Sequence, residues 1–181
     1  MDESPAVTDG VARTRPRRLP VLLAAVALVV LAADQVAKYL VVRDLTPDVP
    51  HRVIDGILQF RLIRNSGAAF SFATGMTWIF TLIAVVVSVV IVRVARRLGS
   101  RTWAIALGLL LGGALGNLCD RLFRAPGFGR GHVVDFIEYL KFPFMDFPVF
   151  NVADSCVVTA AALIALLGVL GIGVDGRRQE G

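Results

Sequence analysis

The stretch TWAIALGLLLGGALGNLCDR, residues 102–121, decides the fold that this sequence can adopt. Every residue from Thr102 to Cys119 is uncharged, and most are Leu, Ala or Gly. A helix needs about 17 to 25 such residues to cross the hydrocarbon of a bilayer. The stretch therefore predicts a membrane-spanning helix, with the polar side chains of Asn117 and Asp120 at its end.

The composition of the whole chain is typical of a membrane protein. Of its 181 residues, 56% are hydrophobic, and the mean hydropathy is +0.70, whereas soluble domains are about 45 to 50% apolar. The chain is basic, with a net charge of +5 and a sequence pI near 10.0. Its basic residues cluster beside apolar stretches, which indicates contact with anionic lipid headgroups rather than with nucleic acid.

Four stretches are predicted to span the membrane, at about residues 20–42, 76–94, 102–119 and 150–173. The first of them could instead be a cleaved signal peptide. Its apolar run is too long for that, and the segment DQVAKYL continues the helical pattern. We therefore expect a single membrane-embedded domain over residues 20–173, with a disordered tail at residues 1–19 and a short tail at 174–181.

The basic clusters predict the orientation of the spans. Arginines are dense in the N-terminal segment, in the link RVARRLGSR and at the C-terminal end, all on one side of a four-span arrangement. The positive-inside rule makes that side cytoplasmic, with both termini there. The basic residues of the two opposite loops are more dispersed and mixed with acids. In the first of these loops, ILQFRLIRN alternates apolar and polar residues, which predicts a short strand in a small extracytoplasmic sheet.

Asn-x-x-Asp occurs twice, in GNLCDR and in FNVADSCVV. Asp120 lies about 27 Å beyond Thr102 at ~1.5 Å per helical residue, and Asp154 lies about 6 Å beyond Phe150. Because the third span runs outward and the fourth returns, both carboxylates are expected at one depth, near the outer interface. The spacing of three residues places Asn117 with Asp120, and Asn151 with Asp154, on one helix face.

Two carboxyls held together share one proton, and one can then act as a base while the other acts as an acid. The pattern thus predicts a catalytic pair of Asp120 and Asp154, as in aspartic proteases. Asp at the edge of a span can also cap a helix or contact headgroups. The loop histidines are isolated in the sequence, and Ser155 has no base nearby. A nucleophilic mechanism is therefore less well supported than a pair of carboxyls. The two cysteines are read as packing residues.

Asp34 and Lys38 form an i, i+4 pair in the outer half of the first span. The pair indicates an intrahelical salt bridge, with Lys38 extending outward to the interface and Asp34 bonded to another span or loop. Arg121 beside Asp120 has two interpretations. It could bind lipid phosphate, or it could orient a carboxylate or a substrate carbonyl.

In order along the chain, DQVAKYL, RNSGAAFS, GGALGNLCDRL, GHVVDFIE and FPVFNVADSCV resemble the lipoprotein signal peptidase family, also called signal peptidase II. The resemblance implies an aspartic endopeptidase of the bacterial cytoplasmic membrane, which removes signal peptides from prolipoproteins whose cysteine carries diacylglycerol. It implies an all-α polytopic membrane protein of four transmembrane helices, a small extracytoplasmic β-cradle and a mobile outer loop or helix. It assigns catalysis to Asp120 and Asp154, and supporting or substrate-binding roles to Asp34, Lys38, Asn65, Gly67, Asn117, Arg121, Asn151 and Ala153.

The segment LFRAPGFGRG is longer than the turn that the family suggests, and its Gly and Pro residues predict mobility. The following HVVDFIEYL is interpreted as a segment on the membrane surface, with Asp135 in a structural role. We expect neither metal nor cofactor, and a monomer. The alternative function is a small ion- or proton-coupled transporter subunit that uses its intramembrane Asp and Lys. A scaffold protein would not need the repeated Asn-x-x-Asp.

Overall fold

The computed structural model describes residues 18–67, 77–141 and 147–178. Four long helices and three short strands lie within these ranges. In chain order they are α1 (Arg18–Asp44), β1 (His51–Ile54), β2 (Leu58–Asn65), α2 (Thr77–Ala95), α3 (Arg101–Phe123), β3 (Val133–Tyr139) and α4 (Val152–Val169).

All four helices are long and apolar enough to cross a membrane, which confirms the prediction of four spans. Helix α4 ends at Val169, earlier than expected. The chain then turns back, and the Trp103 indole N–H donates a hydrogen bond to the Ile172 carbonyl oxygen at 2.9 Å. Residues 1–17, Met76 and residues 179–181 lie outside the described ranges, so the division into one domain with two tails stays a prediction.

Helix α3 is the central helix, because it packs extensively against each of the other three, whereas α1 packs only lightly against α2 and α4. Glycines make this close packing geometrically possible. A Cβ on Gly112 would lie 2.6 Å from Val30 Cβ and 2.7 Å from the Ala27 carbonyl oxygen of α1. A Cβ on Gly113 would lie 2.6 Å from the Ala153 carbonyl oxygen of α4. Small residues at such contacts let membrane helices approach backbone to backbone.

The strands form one antiparallel sheet in the order β1-β2-β3. Strand β2 confirms the prediction made from ILQFRLIRN. Residues 133–139 of HVVDFIEYL form β3 and pair with β2, so the segment is a strand of the sheet, and its position at the membrane surface stays a prediction. The first four residues of β3 are all buried, so the strand lacks the alternation that marks β2 in the sequence.

The sheet packs on one end of the helix bundle through a small apolar core. Val41 of α1, Leu62 of β2, and Val134 and Phe136 of β3 are buried there, with Val152 of α4 against them. We call this end of the bundle, where α1 and α3 end and α2 and α4 begin, the sheet end. The opposite end, which holds the link between α2 and α3, is called the link end.

Candidate active site

Asp154 lies in the first turn of α4, and Asn151 caps that helix. The Asn151 side-chain oxygen accepts a hydrogen bond from the Asp154 N–H at 2.9 Å, and the Asp154 carboxylate accepts one from the Asn151 N–H at 3.2 Å. This is a reciprocal capping box. Asn151 therefore precedes the helix instead of sharing a face with Asp154, and its geometry is that of a cap.

Asp135 of β3 is a buried carboxylate that two amides hold. Asn65 Nδ2 donates a hydrogen bond to Asp135 Oδ2 at 2.8 Å, and Asn151 Nδ2 donates one to Oδ1 at 2.7 Å. Asn65 comes from the end of β2, and its side-chain oxygen accepts from the Gly67 N–H at 2.8 Å. Asn151 therefore contacts both Asp135 and Asp154.

Asp135 and Asp154 line the same cavity, which has a volume of about 430 Å³. A pocket of this size accommodates a small molecule or several residues of a peptide. Its walls are mainly apolar, and Phe147 and Phe150 pack edge to face in them at a ring-centroid separation of 5.5 Å. The lining residues are Asn65, Asp135, Phe147, Pro148, Val149, Phe150, Asp154, Ser155 and Val158.

Burial raises the pKa of Asp135 to about 7, and the nearby Asp154 carboxylate also raises it. The hydrogen bonds from Asn65 and Asn151 act in the opposite direction, because they favour the ionised carboxylate. Near neutral pH, Asp135 thus carries a proton for a substantial part of the time. A carboxyl in this state can donate a proton to a reacting group.

Asp120 lies in a different environment, within a buried ionic cluster. Its Oδ1 is 2.6 Å from Arg124 Nε, and its Oδ2 is 3.0 Å from both Lys38 Nζ and the Val134 backbone nitrogen. Both oxygens thus already have cationic or N–H partners, and Asp120 is not among the residues that line the cavity. The geometry favours Asp135, and not the predicted Asp120, as the partner of Asp154.

Lys38 is completely buried, so the interpretation that it extends outward to the interface is wrong. Its ammonium lies 2.8 Å from Asp34 Oδ2, which confirms the intrahelical salt bridge. Asp34 also accepts a hydrogen bond from the Ala153 N–H of α4 at 2.9 Å, which confirms its predicted bond to another span. Lys38 remains inside because two carboxylates and an amide oxygen surround it.

Asn117 connects the ionic cluster to the cavity. Its Oδ1 accepts hydrogen bonds from Lys38 Nζ at 2.9 Å and from Asn151 Nδ2 at 3.1 Å. Its Nδ2 is thereby directed to Asp154 Oδ1, at 2.7 Å. Asn117 was expected to orient Asp120 of its own motif, but it contacts the carboxylate of the other motif.

Arg121 is partly buried at the sheet end. Its guanidinium lies over the Phe80 ring at 5.6 Å, and Nη1 donates to the Asn117 carbonyl oxygen at 3.4 Å. Its Nε is buried and has no hydrogen-bond partner among the described residues. These contacts direct the residue into the protein. A role of Arg121 toward lipid phosphate, a carboxylate or a substrate carbonyl stays a prediction.

Gly67 has a φ of +106°, a conformation that side chains rarely adopt, and a Cβ there would lie 2.7 Å from the Phe80 ring. Ser155 donates its hydroxyl proton to the Asn151 carbonyl oxygen at 2.9 Å. In the described ranges, no three His, Cys, Asp or Glu side chains are grouped as metal ligands would be. Cys119 and Cys156 are both free thiols, half-buried in their helices.

The position of Asp135 beside Asp154 in one cavity was missed from the sequence. The search used the repeated Asn-x-x-Asp, and Asp135 has no such partner three residues before it. The available signal was a charged residue inside the apolar run VVDFI, where a buried carboxylate is costly. Only the pairing of β3 with β2 brings Asn65 to that carboxylate.

Comparison with known proteins agrees with these observations. The family model described as signal peptidase (SPase) II matches residues 26–170. The lipoprotein signal peptidase of Rhodococcus jostii (strain RHA1) is 52% identical over 166 residues, covering 92% of this chain and 80% of the relative. That of Mycobacterium avium (strain 104) is 50% identical over 182 residues, covering 99% and 97%.

Two solved structures, described as bacterial membrane enzyme structures obtained by the in meso method at 1.9 and 2.3 Å, have the same fold. The first has a TM-score of 0.71 at 31% identity, over 81% of this chain and 92% of the other. The second has a TM-score of 0.72 at 30% identity, over 88% and 93%. With its four spanning helices, its sheet and a family match over most of its length, the chain belongs to the signal peptidase II family.

Proposed function

We propose that this protein is an aspartic endopeptidase that removes the signal peptide from lipid-modified lipoprotein precursors. The observation that carries the proposal is the pair of carboxyls of Asp135 and Asp154, which line one cavity and are bridged by Asn151. Membership of the signal peptidase II family supports this reaction type. The bond cleaved is the peptide bond on the N-terminal side of a cysteine that carries diacylglycerol.

The reaction needs one carboxylate and one protonated carboxyl. Asp154 accepts a proton from a water molecule, whose oxygen attacks the carbon of the scissile carbonyl. Asp135, with its raised pKa, donates its proton to the carbonyl oxygen. When the tetrahedral intermediate collapses, the carbon–nitrogen bond breaks and the amide nitrogen leaves with a proton returned from Asp154. One hydroxyl of the intermediate returns its proton to Asp135, which re-forms the carbonyl group and restores both carboxyls to their starting states. The products are a carboxylic acid and an amine, and water is the sole co-reactant.

Three asparagines hold the two carboxyls in place. The Asn117 side chain and the Asn151 N–H donate hydrogen bonds to Asp154 and fix its orientation. Asn65 and Asn151 Nδ2 hold Asp135 in a fixed orientation. Each donor is itself held by a further contact, so the geometry does not depend on the substrate. Such preorganisation lowers the reorganisation that the reaction requires.

The apolar walls of the cavity suit the substrate class. A signal peptide is an apolar segment in the membrane, and Phe147, Phe150 and Val158 offer it apolar contacts. Because α4 carries both Asp154 and Val158, the cavity extends from the carboxyls along the helix toward the membrane interior. We propose that the substrate helix enters laterally from the bilayer, with its lipidated cysteine near the interface.

The cellular setting follows from the same proposal. We propose that the enzyme is a monomer in the bacterial cytoplasmic membrane, with both termini cytoplasmic and the sheet end on the outer face. Arg96, Arg97 and Arg101 at the link end support this orientation by the positive-inside rule. The alternative of a transporter subunit is not favoured, because the chain belongs to a peptidase family and its buried charges lie at the sheet end.

The test is an in vitro cleavage assay with purified enzyme and a diacylglyceryl-modified precursor. The parent enzyme and the variant Asp55→Asn, an exposed control at the sheet end, should release the signal peptide at similar rates. Asp154→Asn should release none above background. Continued cleavage by folded Asp154→Asn, or equal cleavage of a precursor that lacks the lipid, would contradict the proposal.

A further inference from the structure

The segment from Arg124 to His132, here called the arginine loop, joins α3 to β3 and is fixed at its base. The Gly131 N–H donates to the Arg121 carbonyl oxygen at 2.9 Å, and the His132 N–H donates to the Ala125 carbonyl oxygen at 3.0 Å. The Thr81 hydroxyl of α2 donates to the Gly129 carbonyl oxygen at 2.9 Å. The loop is therefore held in one position relative to both α2 and α3.

The outward surface of this loop is both apolar and basic. Phe128 at its tip is 80% exposed, and Phe123, the last residue of α3, is 78% exposed. Arg130 is close to them in the chain, and no acidic residue occurs between Arg121 and Val134. Exposure of two phenyl rings to water is unfavourable, which indicates that this surface has an apolar partner.

Exposed aromatic side chains elsewhere in the described ranges lie at the same end of the molecule. Tyr39 is near the end of α1, Trp78 is in the first turn of α2, and Tyr139 ends β3. Trp103 at the link end is instead partly buried and bonded to a carbonyl. Aromatic residues gather at the level of the lipid headgroups in membrane proteins. Phe123 and Phe128 thus lie at the level where a spanning helix leaves the hydrocarbon.

We infer that the arginine loop docks into the lipid interface, with Phe123 and Phe128 in the boundary between headgroups and acyl chains. Arg130 binds the phosphate of an anionic phospholipid. Charge complementarity and the continuity of Phe123 with the apolar surface of α3 identify the bilayer as the occupant. This inference requires that the chain is a membrane protein, and it does not rest on the proposed peptidase reaction.

Docking of the loop also bears on the site, because the loop leads directly into β3. Arg124, at the start of the loop, forms the salt bridge to Asp120, and Val134 donates to the same carboxylate. Asp135 is the next residue. A loop held by lipid would thereby keep the beginning of β3 in place against the helix bundle.

The first test places a tryptophan at the tip of the loop. Full-length Phe128→Trp is reconstituted into phosphatidylcholine nanodiscs that contain lipids brominated near the headgroup, and the signal of the parent, from Trp78 and Trp103, is subtracted. The emission of the introduced tryptophan should be quenched by the shallow bromines and protected from iodide in the water. Quenching by iodide with no effect of the bromines would overturn the inference. Protection of the tryptophan from iodide that appears only when a lipidated precursor is added would also overturn the inference.

The second test examines the anionic lipid. Two mixtures of phosphatidylglycerol and phosphatidylcholine are compared, one with bromine on the first lipid and one with bromine on the second. The ratio of the two quenching efficiencies gives the enrichment of phosphatidylglycerol around residue 128. Arg130→Glu, made in the Phe128→Trp protein, should lower this enrichment by at least about fivefold, because the loss of one basic residue at an anionic surface alone has an effect of about that size.

Arg52→Glu is the matched control, because Arg52 is exposed at the sheet end and faces Asp55 at 3.6 Å. It should leave the enrichment unchanged. Equal enrichment in all three proteins would overturn the assignment of Arg130. Neither measurement uses cleavage, so a failure here is distinct from a failure of the proposed peptidase activity.

Discussion

Asn151 Nδ2 lies 2.7 Å from Asp135 Oδ1, and this contact joins the cap of α4 to the edge strand β3. Through its backbone N–H and its side-chain oxygen, the same residue also holds Asp154. One asparagine therefore sets the relative position of two carboxyls that come from different elements. Its two functions, capping and bridging, use different atoms and can be separated experimentally.

The variant Asn151→Ser separates the two functions. Serine is as good an N-cap as asparagine, so the helix keeps its cap, but serine lacks the amide group that reaches Asp135. We expect kcat to fall by about 10- to 100-fold, because a small misplacement of a catalytic group has effects of that size. Thermal unfolding should show a modest loss of stability. A variant with normal kcat would show that Asn151 acts only as a cap.

The raised pKa of Asp135 predicts how stability depends on pH. In the folded protein this carboxyl keeps its proton up to about pH 7, whereas an unfolded chain releases it near the ordinary value of 3.8. The folded state thus binds more protons between these values, and its stability should fall as pH rises from about 4 to 7. The fall should be of order a few kcal/mol, and Asp135→Asn should remove it from pH-dependent unfolding curves. An unchanged pH dependence in this variant would contradict the assignment.

The catalytic activity should depend on the protonation of Asp135, because the reaction uses the proton of that carboxyl. The rate of cleavage should decline as pH rises above about 7. Asn65 favours the ionised form of Asp135 through its hydrogen bond, so Asn65→Ala should raise the pKa and move the declining limb to higher pH. The pH profile of kcat/KM, which reports the pKa values of the free enzyme, measures this shift in the two proteins. A limb that moves to lower pH would refute the role of Asn65.

Lys38 is predicted to be a large contributor to stability. The variant Lys38→Met leaves Asp34 and Asp120 buried near each other without their shared ammonium. Breaking a buried ion pair in this way costs about 3 to 5 kcal/mol. Arg52→Met is the control, because Arg52 is exposed and its ion pair contributes at most about 1 kcal/mol. Denaturation in detergent compares the two, and similar losses would contradict the account of the cluster.

The close packing of α3 predicts a contrast between two glycines. Gly112→Ala brings a Cβ to 2.6 Å from Val30 Cβ, and such overpacking costs about 1 to 3 kcal/mol. Gly168→Ala in α4 meets nothing within 4 Å, and alanine there favours the helix by up to about 1 kcal/mol. Thermal unfolding of both variants in detergent checks the prediction. Equal stability changes would mean that α1 and α3 are not packed as described.

Much of the architecture could be predicted from the sequence because the membrane requires long apolar segments. Residues 102–119 carry no charge, and the alternation in β2 places Phe60 and Leu62 in the apolar core under the sheet. The same reasoning failed for β3, since a strand whose first four residues are all buried shows no alternation. Helices and strands were therefore predictable where their surroundings, lipid or water on one side, leave a pattern in the sequence.

The candidate site was predictable only in part, because its contacts join elements far apart in the chain. The family resemblance directed attention to Asn65, Asn117 and Asn151, and all three contact a carboxylate of the cavity. Repetition of a motif suggested Asp120, yet Lys38 and Arg124 already neutralise that carboxylate. Spacing within a sequence does not show which charges are already paired.

The most direct test compares Asp135→Asn with Asp120→Asn on a diacylglyceryl-modified precursor. Each rate is divided by the folded fraction, measured by thermal unfolding of the same preparation. We predict that Asp135→Asn is folded and loses about 10²- to 10⁴-fold in kcat, the contribution typical of an acid–base group. Asp120→Asn should be less stable, but its folded fraction should cleave at a readily measured rate. Near-normal cleavage by Asp135→Asn, together with a folded but inert Asp120→Asn, would contradict the assignment of Asp135 and Asp154 as the catalytic pair.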